Sequence, residues 1–89
     1  MQVNWSSEKN TVLKQTRKVS FEDVENAIIN GNILDIVPHH NKTKYPNQEL
    51  MIVWLHNYTY YVPFVMNEDE IFLKNIIPSR KYHKKYKKD

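Results

Sequence analysis

Eighty-nine residues without a cysteine provide for one domain with one core, about 60–65% of the unfolded surface being buried at this size, and exclude disulfide staples and thiolate zinc sites. No apolar run approaches the roughly 18 residues that a bilayer span needs, and Met1 to Trp5 lacks the basic and apolar regions of a signal peptide, so a soluble, cytoplasmic chain without membrane contact is expected. The formal charge of +3 is unevenly spread, because residues 79–89 hold six Lys or Arg against one acid while the other 78 hold seven bases against nine acids; the C-terminus therefore suits a polyanionic partner.

In chain order, residues 2–5 read as a short strand. Ser6 then offers an N-cap to a helix running to about Lys18, whose thin apolar content (Val12, Leu13) predicts a surface helix with one narrow inward stripe. Ser20 caps a second helix by accepting from the backbone N–H of Asp23. Phe21, Val24, Ala27 and Ile28 share one face of that helix, and Gly31 ends it. From Ile33 the hydrophobic period becomes two, with strands expected over residues 33–37, 49–57, 58–65 and 70–77.

The segment 39–47 is the longest loop, while His56-Asn57-Tyr58 and Asn67-Glu68-Asp69 provide tight turns. Leu50, Ile52 and Trp54 alternate with Met51, Val53 and Leu55, so that strand is expected at the centre, with Trp54 in the core and helices over one face. Trp5 is expected to anchor the N-terminus. Pro63 cannot donate to a ladder and implies an edge, a bulge or a bend. Pro78 ends the last strand, and Ser79 caps a short basic helix over residues 79–88 with Tyr82 and Tyr86 four residues apart. The fold class is α+β: residues 1–89 form one domain, with two N-terminal helices on a curved, mainly antiparallel four-stranded sheet and a basic C-terminal helix or tail at 79–89.

The catalytic signatures of phosphate-loop enzymes and of Cys or Ser nucleophiles are absent. His39 and His40 are adjacent on an extended segment and point apart, and Glu68-Asp69-Glu70 is one local run, so neither suits a metal site; no metal or cofactor is expected. The cluster Pro78 to Tyr86 is different. Cleaving RNA without a metal needs a base for the 2′-hydroxyl, cations for the phosphorane and an acid for the departing oxygen. Arg80 can bracket two phosphate oxygens, with Lys81, Lys84, Lys85, Lys87 and Lys88 adding point charges and Lys74 joining from the preceding strand. His83 is a candidate base or acid, and Tyr86 can stack on a base, or transfer a proton if nearby cations lower its pKa. The catalytic candidates are therefore Arg80, Lys81, His83 and Tyr86, and the RNA-binding candidates Lys74, Lys84, Lys85, Lys87 and Lys88. Tyr58, Tyr60 and Tyr61 suit base stacking, but core packing and cross-strand pairing are the favoured account of them. The same C-terminus also suits a non-catalytic nucleic-acid-binding module or a protein-interaction module docked on an acidic partner.

Asn4-Trp5-Ser6-Ser7-Glu8-Lys9-Asn10, Val19-Ser20-Phe21-Glu22-Asp23, Tyr45-Pro46-Asn47-Gln48, Val62-Pro63-Phe64-Val65 and Leu73 to Lys81 follow one another along nearly the whole chain. In this order and spacing the sequence resembles the BrnT family of type II toxins, in the RelE-like ribonuclease superfamily. The resemblance implies a RelE-like fold, metal-independent cleavage of mRNA on or off the ribosome that blocks translation, and neutralisation by a cognate antitoxin, a small DNA-binding protein encoded beside it. It would put function on Arg80 and Lys81, with Tyr86 near a C-terminal Tyr of the family. There are departures: Ser6 stands for a usual Asp, Arg17-Lys18 for a His-Gly pair, and Tyr82-His83 for a small residue and a Thr. An inherited catalytic role is therefore not implied for His83.

Overall fold

The computed structural model describes residues 2–86. After strand β1 (Gln2–Trp5), the Ser6 hydroxyl accepts from the Lys9 N–H at 3.2 Å and starts helix α1 (Ser7–Thr16). Only Asn10 and Leu13 of α1 are buried, the narrow stripe expected, and Val12 is exposed. The helix stops before Lys18, which turns the chain in a left-handed conformation (φ 59°). Helix α2 (Phe21–Ile29) opens with a reciprocal cap: Ser20 Oγ accepts from Asp23 N–H while the Asp23 carboxylate accepts from Ser20 N–H. Gly31 follows it at φ 72°, the region that favours glycine. Asn10 joins the two helices from inside. Its amide donates to Glu22 Oε1 at 2.7 Å and accepts from Phe21 N–H at 2.8 Å, so a buried side chain satisfies an end-of-helix donor that water cannot reach.

Strands β2 (Ile33–Pro38), β3 (Glu49–Leu55), β4 (Tyr58–Asn67), β5 (Glu70–Leu73) and β6 (Ile77–Pro78) complete a six-stranded sheet in the order β1-β5-β4-β3-β2, with β6 also on β4. The meander is antiparallel, while β1 adds to β5 in parallel. A four-stranded sheet was expected; it gains β1, read as a strand but joined to the sheet by a long-range parallel pairing, and β6, split from the predicted 70–77 strand. Pro63 accounts for the split. It lies in the central strand opposite Leu50, and its carbonyl accepts from Lys74 N–H at 2.8 Å. The missing donor on that same side interrupts the ladder between β5 and β6. Side chains serve the freed peptide groups: Asn75 Oδ1 accepts from Ile76 N–H at 2.8 Å, and Arg17 donates to the Ile76 carbonyl at 2.6 Å. Ile76 itself turns fully into the core.

The main core lies between α1, α2 and one sheet face, built on Leu13, Phe21, Val24, Met51, Val53, Val62, Phe64 and Leu73. Trp5 stacks on Phe21 (5.8 Å, 25°) and so ties β1 to it, as expected of an N-terminal anchor. Helix α3 (Arg80–Tyr86) packs on the opposite face, the side of Ile52, Thr59 and Tyr61. Trp54 belongs to that side by alternation and is half-buried; its predicted core position is therefore corrected, since its ring stacks on His83 of α3 (5.5 Å, 16°). Among the described residues no helix is long and apolar enough to cross a membrane.

Candidate functional site

Helix α3 is held to the sheet by its polar and aromatic side chains. Ser79 N–H donates to the Thr59 carbonyl (3.1 Å), Ser79 Oγ accepts from Tyr82 N–H (3.1 Å), and β6 pairs Ile77 and Pro78 with Tyr61 and Tyr60. The serine cap predicted for this helix is thus present, and the strand before it fixes where the helix starts. One turn on, His83 Nδ1 lies 3.0 Å from the hydroxyl of Thr59, which is fully buried. The imidazole also stacks on Tyr58 (4.2 Å, 22°). At the far end Tyr86 Oη donates to Asp35 Oδ2. A register shift between Ile33 and Asp35 sets Asp35 opposite Ile52 and thereby turns its carboxylate to the face that carries α3.

The docking divides the predicted site. Arg80, Lys81, Lys84 and Lys85 are all exposed, and among the described residues none forms an ion pair. Lys81 and Lys85 extend over the rings of Tyr82 and Tyr86, at 5.4 and 5.3 Å from their centroids. His83 and Tyr86 are half-buried against the sheet. The cations therefore lie together on the outer face and the two proton-transfer candidates on the inner one. Lys87 and Lys88 lie outside the described residues.

The condition for proton transfer by Tyr86, a pKa lowered by neighbouring cations, is not met. The hydrogen bond to Asp35, aided by burial and by the Asp35 charge, raises that pKa, and the same bond lowers the Asp35 pKa, with the Ile36 N–H and Lys85 contributing. Tyr86 is thereby a latch for α3 more than a proton donor at neutral pH. The Asp35 contribution to stability is present above about pH 4 and lost as pH falls through its depressed folded value. The Tyr86 contribution is present below about pH 10 and lost as pH rises through its raised value. Denaturation series across pH should therefore give a stability gap between wild type and Tyr86→Phe that is widest at about pH 5–9 and narrows on both flanks. A gap independent of pH would contradict the latch.

Beside α3 the same sheet face holds a cleft of about 320 Å³ lined by residues of the 39–48 loop, by Tyr61 and Pro63 of β4, and by Lys74, Asn75 and Ile77. Lys74, predicted on a strand surface, lies just past β5 and borders this cleft, its amine 4.9 Å from the Phe72 ring centroid. His39, read from sequence as a polar loop residue, is buried. Its Nδ1 accepts from Asn41 N–H at 2.9 Å, and its ring packs on Tyr45 and His40 at 4.7 and 4.6 Å, so the two histidine rings meet where they were expected to point apart. Burial lowers the His39 pKa, assisted by His40.

No protein-family model, curated protein or solved structure matches this chain. The candidate site therefore rests on its own geometry: an outward cationic helix face, an inward His83 oriented by Thr59, and an adjoining cleft. Among the described residues no three His, Asp or Glu side chains converge as a metal site would require. Sequence reading missed Thr59 as the partner of His83 and Asp35 as the partner of Tyr86, pairs 24 and 51 residues apart. Tyr61 was singled out, but its place at the junction of cleft and helix had no local signal.

Proposed function

We propose that this chain is a metal-independent endoribonuclease that cuts mRNA and blocks translation, the toxin of a type II toxin–antitoxin pair. The observation that carries the reading is the outward face of α3, where Arg80, Lys81, Lys84 and Lys85 are exposed together. Such a face binds a phosphate backbone, and Arg80 supplies the planar fork that matches phosphorane oxygens. The resemblance of the ordered motifs to the BrnT family gives the toxin class and a RelE-like arrangement of the domain. The turn at Lys18, left-handed where that family has a Gly, accords with it.

In the reaction the 2′-oxygen attacks phosphorus and the 5′-oxygen leaves, giving a 2′,3′-cyclic phosphate and a 5′-hydroxyl. His83 is the proton carrier of choice. Thr59 engages Nδ1, and among the described residues Nε2 has no partner. Because a hydroxyl can donate to Nδ1 or accept from it, Nε2 can take the 2′-proton or, once protonated, return one to the leaving oxygen. Lys81 and Arg80 stabilise the charge that develops on phosphate. A cognate antitoxin, a small DNA-binding protein, would neutralise the toxin by covering this cationic face.

A second reading is a non-catalytic RNA-binding module, favoured by the internal engagement of both His83 and Tyr86. Incubating the purified chain with RNA in the presence of a chelator separates the two. The nuclease reading expects new fragments with cyclic phosphate and 5′-hydroxyl ends, whereas a binder gives salt-sensitive gel shifts and intact RNA.

A further inference from the structure

The cleft between the 39–48 loop and the sheet is a built surface. Lys44 N–H donates to Asn41 Oδ1 (3.1 Å), Tyr45 N–H to the Asn41 carbonyl (2.9 Å), and Gln48 N–H to the Tyr45 carbonyl (3.3 Å). With the His39 to Asn41 bond these contacts hold the loop in one shape, and a preformed loop loses little entropy on binding. In the cleft wall the rings of His40 and Tyr61 meet edge to face at 88° with centroids 5.8 Å apart, so a planar ligand stacked on the free face of one ring presents its edge to the other.

The remaining polar groups are mostly donors. Asn75 Oδ1 is already occupied by Ile76 N–H and Arg17 Nη1, which leaves its amide NH2 for a ligand. Since Nδ1 of His39 accepts from a backbone N–H, its neutral ring carries the proton on Nε2. Lys74 adds a cation and Gln48 both a donor and an acceptor. The lining thus suits a flat, acceptor-rich molecule with a negative charge at one end. It also continues into α3, because Tyr61 meets Tyr82 edge-on at 6.2 Å and Lys81 extends over Tyr82.

We propose that this cleft receives one unstacked nucleotide of single-stranded RNA, its base against His40 and Tyr61, its edge read by Gln48 and Asn75, and its phosphate met by Lys74. Sequence-specific RNA recognition operates on such splayed bases, stacked on aromatic rings and hydrogen-bonded along their edges. The cleft rests on the RNA reading of α3 but adds what a row of cations lacks, a means of choosing among bases. Phosphate contacts on α3 set position, and the cleft sets where along the strand the chain stops.

The test uses the wild-type chain titrated by NMR with AMP, GMP, CMP, UMP and inorganic phosphate, and in parallel with an uncleavable 2′-O-methyl homopolymer. One nucleotide is expected to bind about tenfold more tightly than phosphate and than the weakest of the four, with shifts at His40, Gln48 and Asn75. In Gln48→Ala, and independently in His40→Ala, that preference should fall to about threefold or less while the spectrum remains that of a folded protein. Equal binding of all five ligands, or shifts confined to α3, would overturn the proposal. In the homopolymer titration, shifts at Arg80 to Lys85 report on α3: selective nucleotide binding without those shifts would support the cleft and contradict the α3 reading, and the reverse would remove only the cleft.

Discussion

Arg80→Ala is expected to slow RNA cleavage by about 10²–10³-fold, the usual effect of removing one donor placed on developing charge. Arg80 is exposed at the first residue of α3, and its backbone start is secured by Ser79 and Thr59, so the substitution should leave stability within about 0.5 kcal/mol of wild type. Single-turnover cleavage of one RNA by both proteins, with matched circular dichroism, checks the two halves together. If the loss appears in kcat with little change in RNA affinity, the guanidinium acts on the transition state. Equal loss of affinity and rate would make it a binding residue. Arg80→Lys retains the charge without the planar fork, and should recover only part of the activity if the fork matters.

The second large effect concerns the core. Phe21→Ala should cost about 3–5 kcal/mol, because the ring is fully buried and its loss leaves a cavity that rigid neighbours cannot fill. Phe21 also supports Trp5, which holds β1 on the sheet edge, and its N–H is the group that Asn10 satisfies. A protein of this size has about 5–15 kcal/mol in total, so the melting temperature should fall by about 4–8 °C for each kcal/mol lost. Ile29→Ala, on the solvent side of the same helix at 73% exposure, should change it little. Thermal denaturation of the two variants decides this; similar losses would mean that the α2 face is not the core described.

Features set by neighbours in sequence were legible. The caps at Ser6, Ser20 and Ser79 and the glycine after α2 follow from side-chain chemistry acting over three or four residues, and each stands where the sequence put it. The strands of the meander and the α+β class follow from hydrophobic periodicity. What eluded the sequence depends on distant partners. The parallel pairing of β1 with β5 joins residues 68 apart in sequence, as in Gln2 opposite Glu70. The break after Leu73 requires knowing that Pro63 lies beside it.

For the candidate site, the basic outer face of α3 was legible from charge alone. Its inner face was not, because Thr59, Trp54 and Asp35 become its partners only through the register of β2, β3 and β4. The small register shift before Asp35 decides which side of the sheet that carboxylate takes, and no pattern in the sequence announces it. Tyr86 shows the consequence. Its neighbours in sequence are cations, which suggested a lowered pKa, yet its nearest partner in space is a carboxylate.

Growth arrest should follow from the cutting of RNA. The most direct measurement is induced expression in a bacterial host, with primer extension on total RNA from cells making wild type or Arg80→Ala at matched protein levels. Growth arrest and discrete new RNA ends are expected with wild type alone. Normal growth and intact RNA in cells that contain soluble, folded wild-type protein would contradict the nuclease reading.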